Sequence, residues 1–388
     1  MIRLRGTTWN HIRGFAPLHA TARQYQSVHP AVEIQWEIRS LQDFADFPIE
    51  SLAERYDLVN LDHPSVGSCE AAGCLLPLDP LVPSEDLRIL GEQSVGRSHI
   101  SYLYNNRHWA LAIDAASHVS VYRADLLARS QLAVPGTWDE VVSLALRLKR
   151  DGTCLMAIPL IPVDSLMCFY SLCAASDEEP FSLESQGVVS RECGRRALSL
   201  MQQLLNVSHP NCLSWNPIQV LDCMSHTDEV AYCPWLFGYS NYSRPGFAPH
   251  RCTFANVPVL TAGPSRGAIL GGTGLAISSK CAHPEVAADY ARYVASAECQ
   301  KGIYFESGGQ PGNIEAWRDP DVNQASGNFF QDTLETLTHA YLRPRYPGYI
   351  EFQTEAGLLI HQFLKDGGET DAVLEGLNRL LVQNQLHR

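Results

Sequence analysis

Hydrophobic and polar positions along the start of the chain predict a strand, a helix and a second strand. Residues 2–9 read as a strand, and apolar side chains then recur at helical spacing over residues 15–28. Pro30 ends this helix, because a proline ring disfavours helical backbone at the residue before it. Residues 32–36 alternate between apolar and polar positions, as a half-buried strand does. This order predicts a βαβ unit with parallel strands.

Polar side chains follow the first strand and the next buried strand at the points where each one ends. Residues 56–61 form that next strand, and Asp62 and His63 come directly after it. In open parallel sheets, ligands bind beyond the carboxyl ends of the strands. We therefore expect a ligand site at these ends, lined by Trp9, Asn10, His11, Asp62 and His63. The alternatives are structural, since Asp62 can cap the turn before a proline and His63 can be an ordinary loop residue.

A glycine-rich turn leads into a short apolar strand late in the chain, over residues 270–278. Two helices follow, over residues 286–295 and 298–305, and a second glycine- and proline-containing turn closes the unit at residues 307–312. Glycine allows close approach of backbone to another group and also allows positive φ. Gly272 and Thr273, which lie in the first turn, are therefore candidate ligand contacts.

Aromatic residues crowd at the end of another predicted strand, over residues 230–239. Aromatic faces stack on sugar rings or cations and bury a large area. We expect at least one of Tyr232, Trp235 and Tyr239 to contact a ligand and the others to pack in the interior. Cys233 is not favoured as a nucleophile, because no activating histidine or basic group is adjacent to it in the sequence.

Two long runs resemble the extracellular solute-binding proteins of ABC importers, family 1, the sugar-binding branch. One run begins at residue 271 and reads GGTGLAISSKCAHPEVAADYARYVASAECQKGIYFESGGQP. The other begins at residue 108 and reads HWALAIDAASHVSVYRADLLARSQLAVPGTWDEVVSLALRL. Thr137 and Glu140 in the second run have the spacing of a helix capping box. The opening βαβ unit and the closing segment from residue 343 are similar to the same family, so the resemblance spans nearly the whole chain.

The resemblance implies an α/β fold of the periplasmic-binding-protein-like type II class. This is a two-lobed clamshell with three hinge crossings, in which each lobe is a mostly parallel sheet flanked by helices. Lobe one would take residues 1–114 and 266–325, and lobe two residues 115–265 and 326–388. Asp114 and His118 would lie at the first crossing and residues 263–267 at the second. Asp114 could accept a hydrogen bond from a ligand, or it could bond to hinge backbone instead.

The resemblance also implies a function. The chain would capture a small polar organic ligand, such as a sugar or polyol, in the interlobe cleft by hinge closure and deliver it to an ABC permease. No cofactor or metal is expected, and the protein would be a monomer. The family is periplasmic or attached to the cell surface.

Composition bears on partners and on location. The chain has 388 residues, enough for two domains, and 45% hydrophobic and 18% charged residues, as globular proteins have. A net charge of −13 argues against nucleic acid as a partner. A strand begins at once and no signal peptide is recognised. The 12 cysteines contain no zinc-type spacing and suit a reducing compartment. If the chain as given is the natural one, these features predict a cytoplasmic location.

The lack of a recognised signal peptide and the abundance of cysteine both depart from the family. They leave two alternative functions open. One is a cytosolic enzyme on the same clamshell, with proton transfer by His11, His63 or His118 and by Asp62 or Asp114. Histidine titrates near neutrality, which suits it to acid–base work. The other alternative is a cytosolic ligand sensor without catalysis. We favour binding, because no residue pattern in the chain is a complete catalytic signature.

Overall fold

The computed structural model describes residues 1–39, 49–176, 178–182, 187–260 and 267–385. Most of a helix predicted over residues 40–52 lies outside these ranges, as does nearly all of the second crossing predicted at residues 263–267. None of the described helices has both the length and the apolar character needed to cross a bilayer.

The described strands, numbered in chain order, are β1 Ile2–Trp9, β2 Val32–Arg39, β3 Leu58–Asp62, β4 Leu103–Tyr104, β5 Arg107–His108, β6 Leu111–Ala112, β7 Ala116–Tyr122, β8 Leu155–Met156, β9 Val230–Phe237, β10 Thr253–Ala255, β11 Leu270–Gly271 and β12 Thr273–Ile277.

The described α-helices are α1 Ile12–Val28, α2 Ile49–Ala53, α3 Val66–Ala72, α4 Ser84–Glu92, α5 Ala124–Arg129, α6 Trp138–Asp151, α7 Pro162–Ala175, α8 Arg191–Leu205, α9 Pro217–His226, α10 Pro284–Ala295, α11 Ala297–Cys299, α12 Ile314–Arg318, α13 Pro320–Ala325, α14 Phe329–Thr338, α15 Tyr349–Asp366 and α16 Thr370–Gln385. Short 3-10 helices lie at His63–Ser65, Ile100–Tyr102, Cys212–Ser214 and Ser240–Ser243, and a π-helical turn lies at Gln300–Tyr304.

The chain divides into two compact units, each built from separated stretches of sequence. Unit 1 comprises Met1–Ala116, Gly271–Gln324 and Arg345–Pro347, and unit 2 comprises Ser117–Leu270, Ala325–Pro344 and Gly348–Arg388. The sequence predicted divisions after residues 114, 265 and 325. The structure adds a short return of the chain to unit 1 at Arg345, whose guanidinium donates to the carbonyls of Ile100, Ser101 and Leu103.

The sheet of unit 1 has the order β2-β1-β3-β12-β6. Strand β1 pairs in parallel with β2 and β3, as the βαβ pattern predicted, whereas β12 is antiparallel to both β3 and β6. Four strands therefore run in one direction and β12 runs against them. Buried apolar side chains such as Leu4, Leu18, Leu58 and Leu275 form the core beneath the sheet.

The main sheet of unit 2 has the order β10-β7-β9-β8. Strand β7 is antiparallel to β10 and to β9, and β8 is parallel to β9. Here β7 alone runs against its neighbours. In each sheet the reversed strand begins at or next to a point where the chain passes from one unit to the other. The mostly parallel sheets predicted from the resemblance thus each contain one reversed inner strand.

Local sequence signals account for several element ends. Thr137 caps α6 and Glu140 completes the capping box, as predicted. The hairpin of β4 and β5 turns through Asn105 and Asn106, whose φ angles are 49° and 57°. The apolar run over residues 153–160 predicts a buried strand, but the regular ladder covers only β8, after which the Ala157 N–H donates to the Tyr232 carbonyl at 3.0 Å. Proline cannot donate to a ladder, and the extended segment after β8 contains Pro159.

Candidate ligand-binding site

The carboxyl ends of four unit 1 strands lie at one edge of its sheet, and β2 ends there at Arg39, opposite Trp9. β1 ends at Trp9, β3 ends at Asp62, and β6 leads through Ile113 to Asp114. Strand β12 begins at the same edge because it is antiparallel, and Thr273 pairs directly with Asp62. The structure therefore places all the predicted unit 1 candidates at this edge. We call it the polar edge, and it comprises Trp9 and the polar or glycine positions Asn10, His11, Asp62, His63, Asp114, Gly272 and Thr273.

Asp114 forms a two-point ion pair with Arg13. The Arg13 Nε lies 2.8 Å from Asp114 Oδ2, and its Nη2 lies 2.5 Å from Oδ1. Both side chains are buried, with 4% and 0% of their surface exposed. Burial raises the pKa of the Asp114 carboxyl, and the Arg13 guanidinium opposes that rise. A ligand at the polar edge would meet a neutralised pair here rather than a lone carboxylate.

His11 is the N-cap of α1. Its Nδ1 accepts a hydrogen bond from the Arg13 backbone N–H at 3.0 Å, which satisfies one of the donors that a helix start leaves open. Burial lowers the pKa of His11 to about 3, with a further contribution from the Arg13 charge. His11 is therefore a neutral hydrogen-bonding group at neutral pH.

Asn10 and Trp9 differ in their exposure. Asn10 is exposed, and its backbone N–H donates to the Arg39 carbonyl at 2.7 Å. Trp9 is buried, and its ring lies over Gly14, where an added Cβ would come within 2.5 Å of it. The Trp9 ring is thus packed on α1, whereas the Asn10 side chain is presented to solvent.

Asp62 has the capping role that the sequence offered as an alternative. Its Oδ1 accepts the His63 N–H at 2.9 Å at the start of a 3-10 helix, and lies 3.2 Å from His63 Nδ1. The Asp62 side chain nevertheless keeps 37% of its surface exposed. His63 is buried, with its ring edge-to-face against Tyr102 at 6.4 Å. Of these two residues, Asp62 is therefore the one whose side chain is accessible.

Gly272 and Thr273 fit the turn for different reasons. Gly272 has a φ of +99°, and a Cβ there would collide with the Asp114 carbonyl, so the position requires glycine. The Thr273 backbone exchanges hydrogen bonds of 3.1 Å with that of Asp114. The Thr273 hydroxyl is buried and has no hydrogen-bond partner among the described residues. A buried, unpaired hydroxyl costs free energy, and a bound ligand or water could satisfy it.

His118 lies in unit 2, at the start of β7. Its Nδ1 is 2.9 Å from the Ser171 hydroxyl, and its ring meets Phe237 edge-to-face at 4.7 Å. Burial lowers the pKa of His118 to about 3, and the Arg343 charge adds to this shift. His118 is therefore a neutral interior residue.

The three aromatic candidates of unit 2 have different environments. Trp235 is completely buried, its indole N–H donates to the Cys168 sulfur, and its ring lies 4.5 Å from that of Trp138. Tyr232 is also completely buried, whereas Tyr239 retains 8% exposure at the start of a 3-10 helix. These environments favour packing roles for Trp235 and Tyr232 and leave Tyr239 as the aromatic candidate for ligand contact.

Asp164 was not among the predicted site residues. It lies in the first turn of α7 and is only 4% exposed. Burial raises its pKa to about 7. Its position after a strand-end loop that opens a helix was the available signal. Arg13 was also missed, because nothing near it in the sequence indicates its partner.

Acid–base chemistry has little support from these geometries. His11 and His118 are weak bases, since a general base works best with a pKa near the working pH. Asp114 is tied to Arg13. Within the described ranges, no group of three or more His, Cys, Asp or Glu side chains is arranged to hold a metal ion.

Comparison with known proteins agrees with the predicted resemblance. A family model described as bacterial extracellular solute-binding protein matches residues 8–153. No curated protein sequence matches the chain.

Solved structures are similar over essentially the whole length. The maltose-bound MalE3 of T. maritima is 18% identical, with 100% of both chains covered and a TM-score of 0.83. An ABC transporter solute-binding protein of Agrobacterium radiobacter K84 in complex with ribitol is 20% identical, with 99% of this chain and 98% of that chain covered and a TM-score of 0.81. A corresponding protein of Agrobacterium vitis S4 with bound D-mannitol is 16% identical, with 100% and 99% covered and a TM-score of 0.78. The predicted α/β binding-protein-like fold class is confirmed.

Proposed function

We propose that this protein is a solute-binding protein that captures a sugar, a polyol or a similar small polar molecule for delivery to an ABC permease. The observation that carries the proposal is the polar edge of unit 1, where accessible hydrogen-bonding groups collect at the carboxyl ends of the strands. The full-length likeness to proteins named with maltose, ribitol and D-mannitol supports the same class of ligand.

The chemistry of the polar edge suits hydroxyl groups. Asp62 presents an accessible carboxylate that accepts hydrogen bonds, and Asn10 presents an exposed amide that both donates and accepts. Thr273 adds a hydroxyl with unused hydrogen-bonding capacity. The Arg13 charge at this edge is already paired with Asp114, and the Arg39 Nε donates to the Thr7 hydroxyl at 2.8 Å. A neutral polyhydroxylated ligand therefore fits better than a phosphorylated one.

Tyr239 is the unit 2 residue that we propose for contact with the ligand. Tyr239 keeps 8% of its surface exposed, and a tyrosine ring can cover an apolar sugar face and hydrogen-bond through its hydroxyl. The roles that we propose for the other candidates are packing roles within strands β9 and β7, for Tyr232, Trp235 and His118. Hinge closure on the ligand, a monomeric state and docking on a permease are further parts of the proposal. The family that the model describes is extracellular, and we propose the same location.

Thermal unfolding with a ligand panel tests the proposal. Maltose, ribitol, D-tagatose and D-mannitol are the probes, and glucose 6-phosphate is the charged control. A ligand at 100 times its Kd stabilises the folded state by about 2.7 kcal/mol, which a thermal shift detects readily. We expect at least one neutral probe to raise Tm in proportion to the logarithm of its concentration. A shift with the phosphate alone would contradict the proposed ligand class.

Two aspartates of unit 1 provide a matched pair of variants. Asp62 and Asp79 both lie beside a histidine Nδ1, at 3.2 and 2.8 Å, and both side chains are 37–38% exposed. Only Asp62 belongs to the polar edge. Asp62→Asn should weaken binding of the active probe about 10-fold or more, as loss of a hydrogen bond to a charged group does. Asp79→Asn should leave affinity unchanged, and equal effects would remove Asp62 from the site.

A further inference from the structure

Four of the twelve cysteines lie as two adjacent thiol pairs, one in each unit. In unit 1 the Cys74 sulfur lies 3.6 Å from the carbonyl oxygen of Cys69, beside the Cys69 thiol. In unit 2 the Cys193 sulfur lies 3.9 Å from the carbonyl oxygen of Cys173. All four sulfurs are free thiols in this structure. Each pair is contained within one unit.

The first pair is built by the turn that ends α3. Gly73 adopts the left-handed conformation, its N–H donates to the Glu70 carbonyl at 3.0 Å, and the Cys74 N–H donates to the Cys69 carbonyl at 3.2 Å. These are the two bonds of a Schellman motif, which brings the side chains flanking the turn into contact. Here both side chains are cysteines, and Cys74 Sγ lies 3.6 Å from the Cys69 carbonyl oxygen. The backbone therefore holds the two thiols side by side.

The second pair joins the last turns of α7 to the first turn of α8. Cys193 Sγ lies 3.9 Å from the Cys173 carbonyl oxygen. Ser190 fixes the start of α8, because its hydroxyl accepts the Cys193 N–H at 3.3 Å and donates to Glu178 at 2.6 Å. Capping contacts thus position Cys193 against Cys173.

Other buried thiols have different hydrogen-bond partners. Cys168 contacts the Pro159 carbonyl and the Trp235 indole, and Cys233 contacts the Trp235 carbonyl. The Cys212 sulfur accepts the backbone N–H of Ile158. These cysteines serve as internal controls for reactivity at the two pairs.

Within each pair one thiol is the better nucleophile. The neighbouring Cys69 thiol lowers the pKa of Cys74, and the neighbouring Cys173 thiol lowers the pKa of Cys193. Cys74 also keeps 9% of its surface exposed, whereas Cys69 is fully buried. An oxidant that reaches unit 1 would therefore react first at Cys74.

We propose that Cys69–Cys74 and Cys173–Cys193 are two dithiol sites that close to disulfides on exposure to a small-molecule disulfide oxidant. In the first step the Cys74 or Cys193 thiolate attacks one sulfur of the oxidant and expels the other as a thiolate, leaving a mixed disulfide. The partner thiol then gives its proton to solvent, attacks the protein sulfur of the mixed disulfide and expels the second thiolate. Two protein thiols lose two electrons, and one oxidant disulfide is reduced to two thiols.

Closure would add a covalent link where the contacts are now non-covalent. The unit 1 bridge would fix the C-terminal end of α3. Helix α3 directly follows the 3-10 helix that contains His63. The unit 2 bridge would tie α7 to α8. A bridge across the longer loop constrains the unfolded chain more, so the unit 2 bridge should give the larger stabilisation. This inference does not depend on the proposed ligand function.

Thiol mapping of the whole wild-type chain tests the proposal. The folded protein is treated with oxidised glutathione, denatured, alkylated with iodoacetamide and mapped by peptide mass spectrometry. We expect a protein lighter by four hydrogen atoms before alkylation, with those two pairs bridged and the other eight cysteines alkylated. A second sample is refolded in the same oxidant, which gives access to thiols that are buried in the native state. Alkylation of all twelve cysteines in both samples, or bridges between other cysteines, would overturn the proposal.

Single variants assign the bridges. Cys74→Ser should abolish the unit 1 bridge and leave the unit 2 bridge intact, and Cys193→Ser should do the reverse. Cys212→Ser, at a thiol bonded to backbone, should leave both bridges in place. Loss of both bridges in any one properly folded variant would show that the pairs do not form independently.

Discussion

Arg13 and Asp114 neutralise each other inside unit 1, joining the start of α1 to the segment that follows β6 across 101 positions of sequence. Both side chains are buried, and the Asp114 backbone also pairs with Thr273. The ion pair therefore connects two segments that contribute residues to the polar edge, the start of α1 and the segment that follows β6. A buried ion pair of this kind contributes less by its net energy than by the penalty for breaking it.

Removal of one partner should be strongly destabilising. Asp114→Asn leaves the Arg13 charge buried without its counter-ion, which typically costs about 3–5 kcal/mol of unfolding free energy. The measurement is the urea unfolding midpoint at constant m-value. The double variant Arg13→Met with Asp114→Leu should recover most of the loss. Arg88→Ala removes an exposed helix pair and should cost less than about 1 kcal/mol; an equal cost for Asp114→Asn would contradict the buried-pair account.

Trp235 should act through packing. Trp235→Ala removes a ring that is fully buried against Trp138, so we expect a loss of about 3–5 kcal/mol in unfolding free energy. The aromatic residues over 230–239 made Trp235 one of three candidates for ligand contact, and in that role its loss would weaken binding and leave the fold intact. Burial of the ring leads to the opposite expectation. Calorimetric affinity in the fraction that remains folded should match wild type, and a large loss of affinity with unchanged stability would restore the earlier interpretation.

Asp164 should make stability depend on pH. Its pKa is raised from 3.8 to about 7 by burial, so the folded state holds the proton more tightly than the unfolded state does. This contribution is complete below about pH 4 and is lost as pH rises from 4 to 7. The loss is on the order of 4 kcal/mol at pH 7 and above.

The variant Asp164→Asn should flatten this part of the pH profile. Unfolding free energies measured from pH 4 to 8 should fall less steeply for the variant than for wild type. Asp139→Asn, at an exposed aspartate in the first turn of α6, is the matched control and should retain the wild-type slope. Parallel profiles for wild type and Asp164→Asn would show that Asp164 does not titrate in this range.

Substitution of Thr273 should change ligand affinity and stability in different ways. Thr273→Val removes a buried hydroxyl that has no hydrogen-bond partner in the described part of the chain, so stability should be unchanged or should rise by about 1 kcal/mol. Ligand affinity should fall if the ligand uses that hydroxyl. Thr21→Val is the contrasting variant, because the Thr21 hydroxyl contacts the Leu18 carbonyl and the Tyr290 hydroxyl. It should lose about 1–2 kcal/mol of stability and keep wild-type affinity.

Local signals in the sequence were sufficient for several element ends and for the strand ends that meet at the polar edge. The helix stop at Pro30, the capping box at Thr137 and the asparagine turn of the hairpin depend on neighbouring residues only, and all appear in the structure. Strand ends could likewise be placed from their apolar runs. Because parallel strands end at one edge, their terminal residues come together without further information.

Contacts between distant segments could not be predicted in this way. The partner of Asp114, the burial of Trp235 against Trp138 and the pairing of Cys173 with Cys193 each depend on how separate elements pack. The titration of Asp164 depends on its desolvation, which no pattern of residue types reveals. The sequence therefore located candidate residues but did not separate ligand contacts from packing.

Native mass spectrometry of the purified protein, before and after mild unfolding, tests the central claim most directly. The account predicts one small polyhydroxylated, uncharged molecule per chain, acquired from a cell extract and released unchanged on unfolding. The Asp62→Asn variant should retain less of it than Asp79→Asn does. A bound phosphorylated molecule, conversion of the released molecule to a new mass by the protein, or no adduct with any extract would contradict the account.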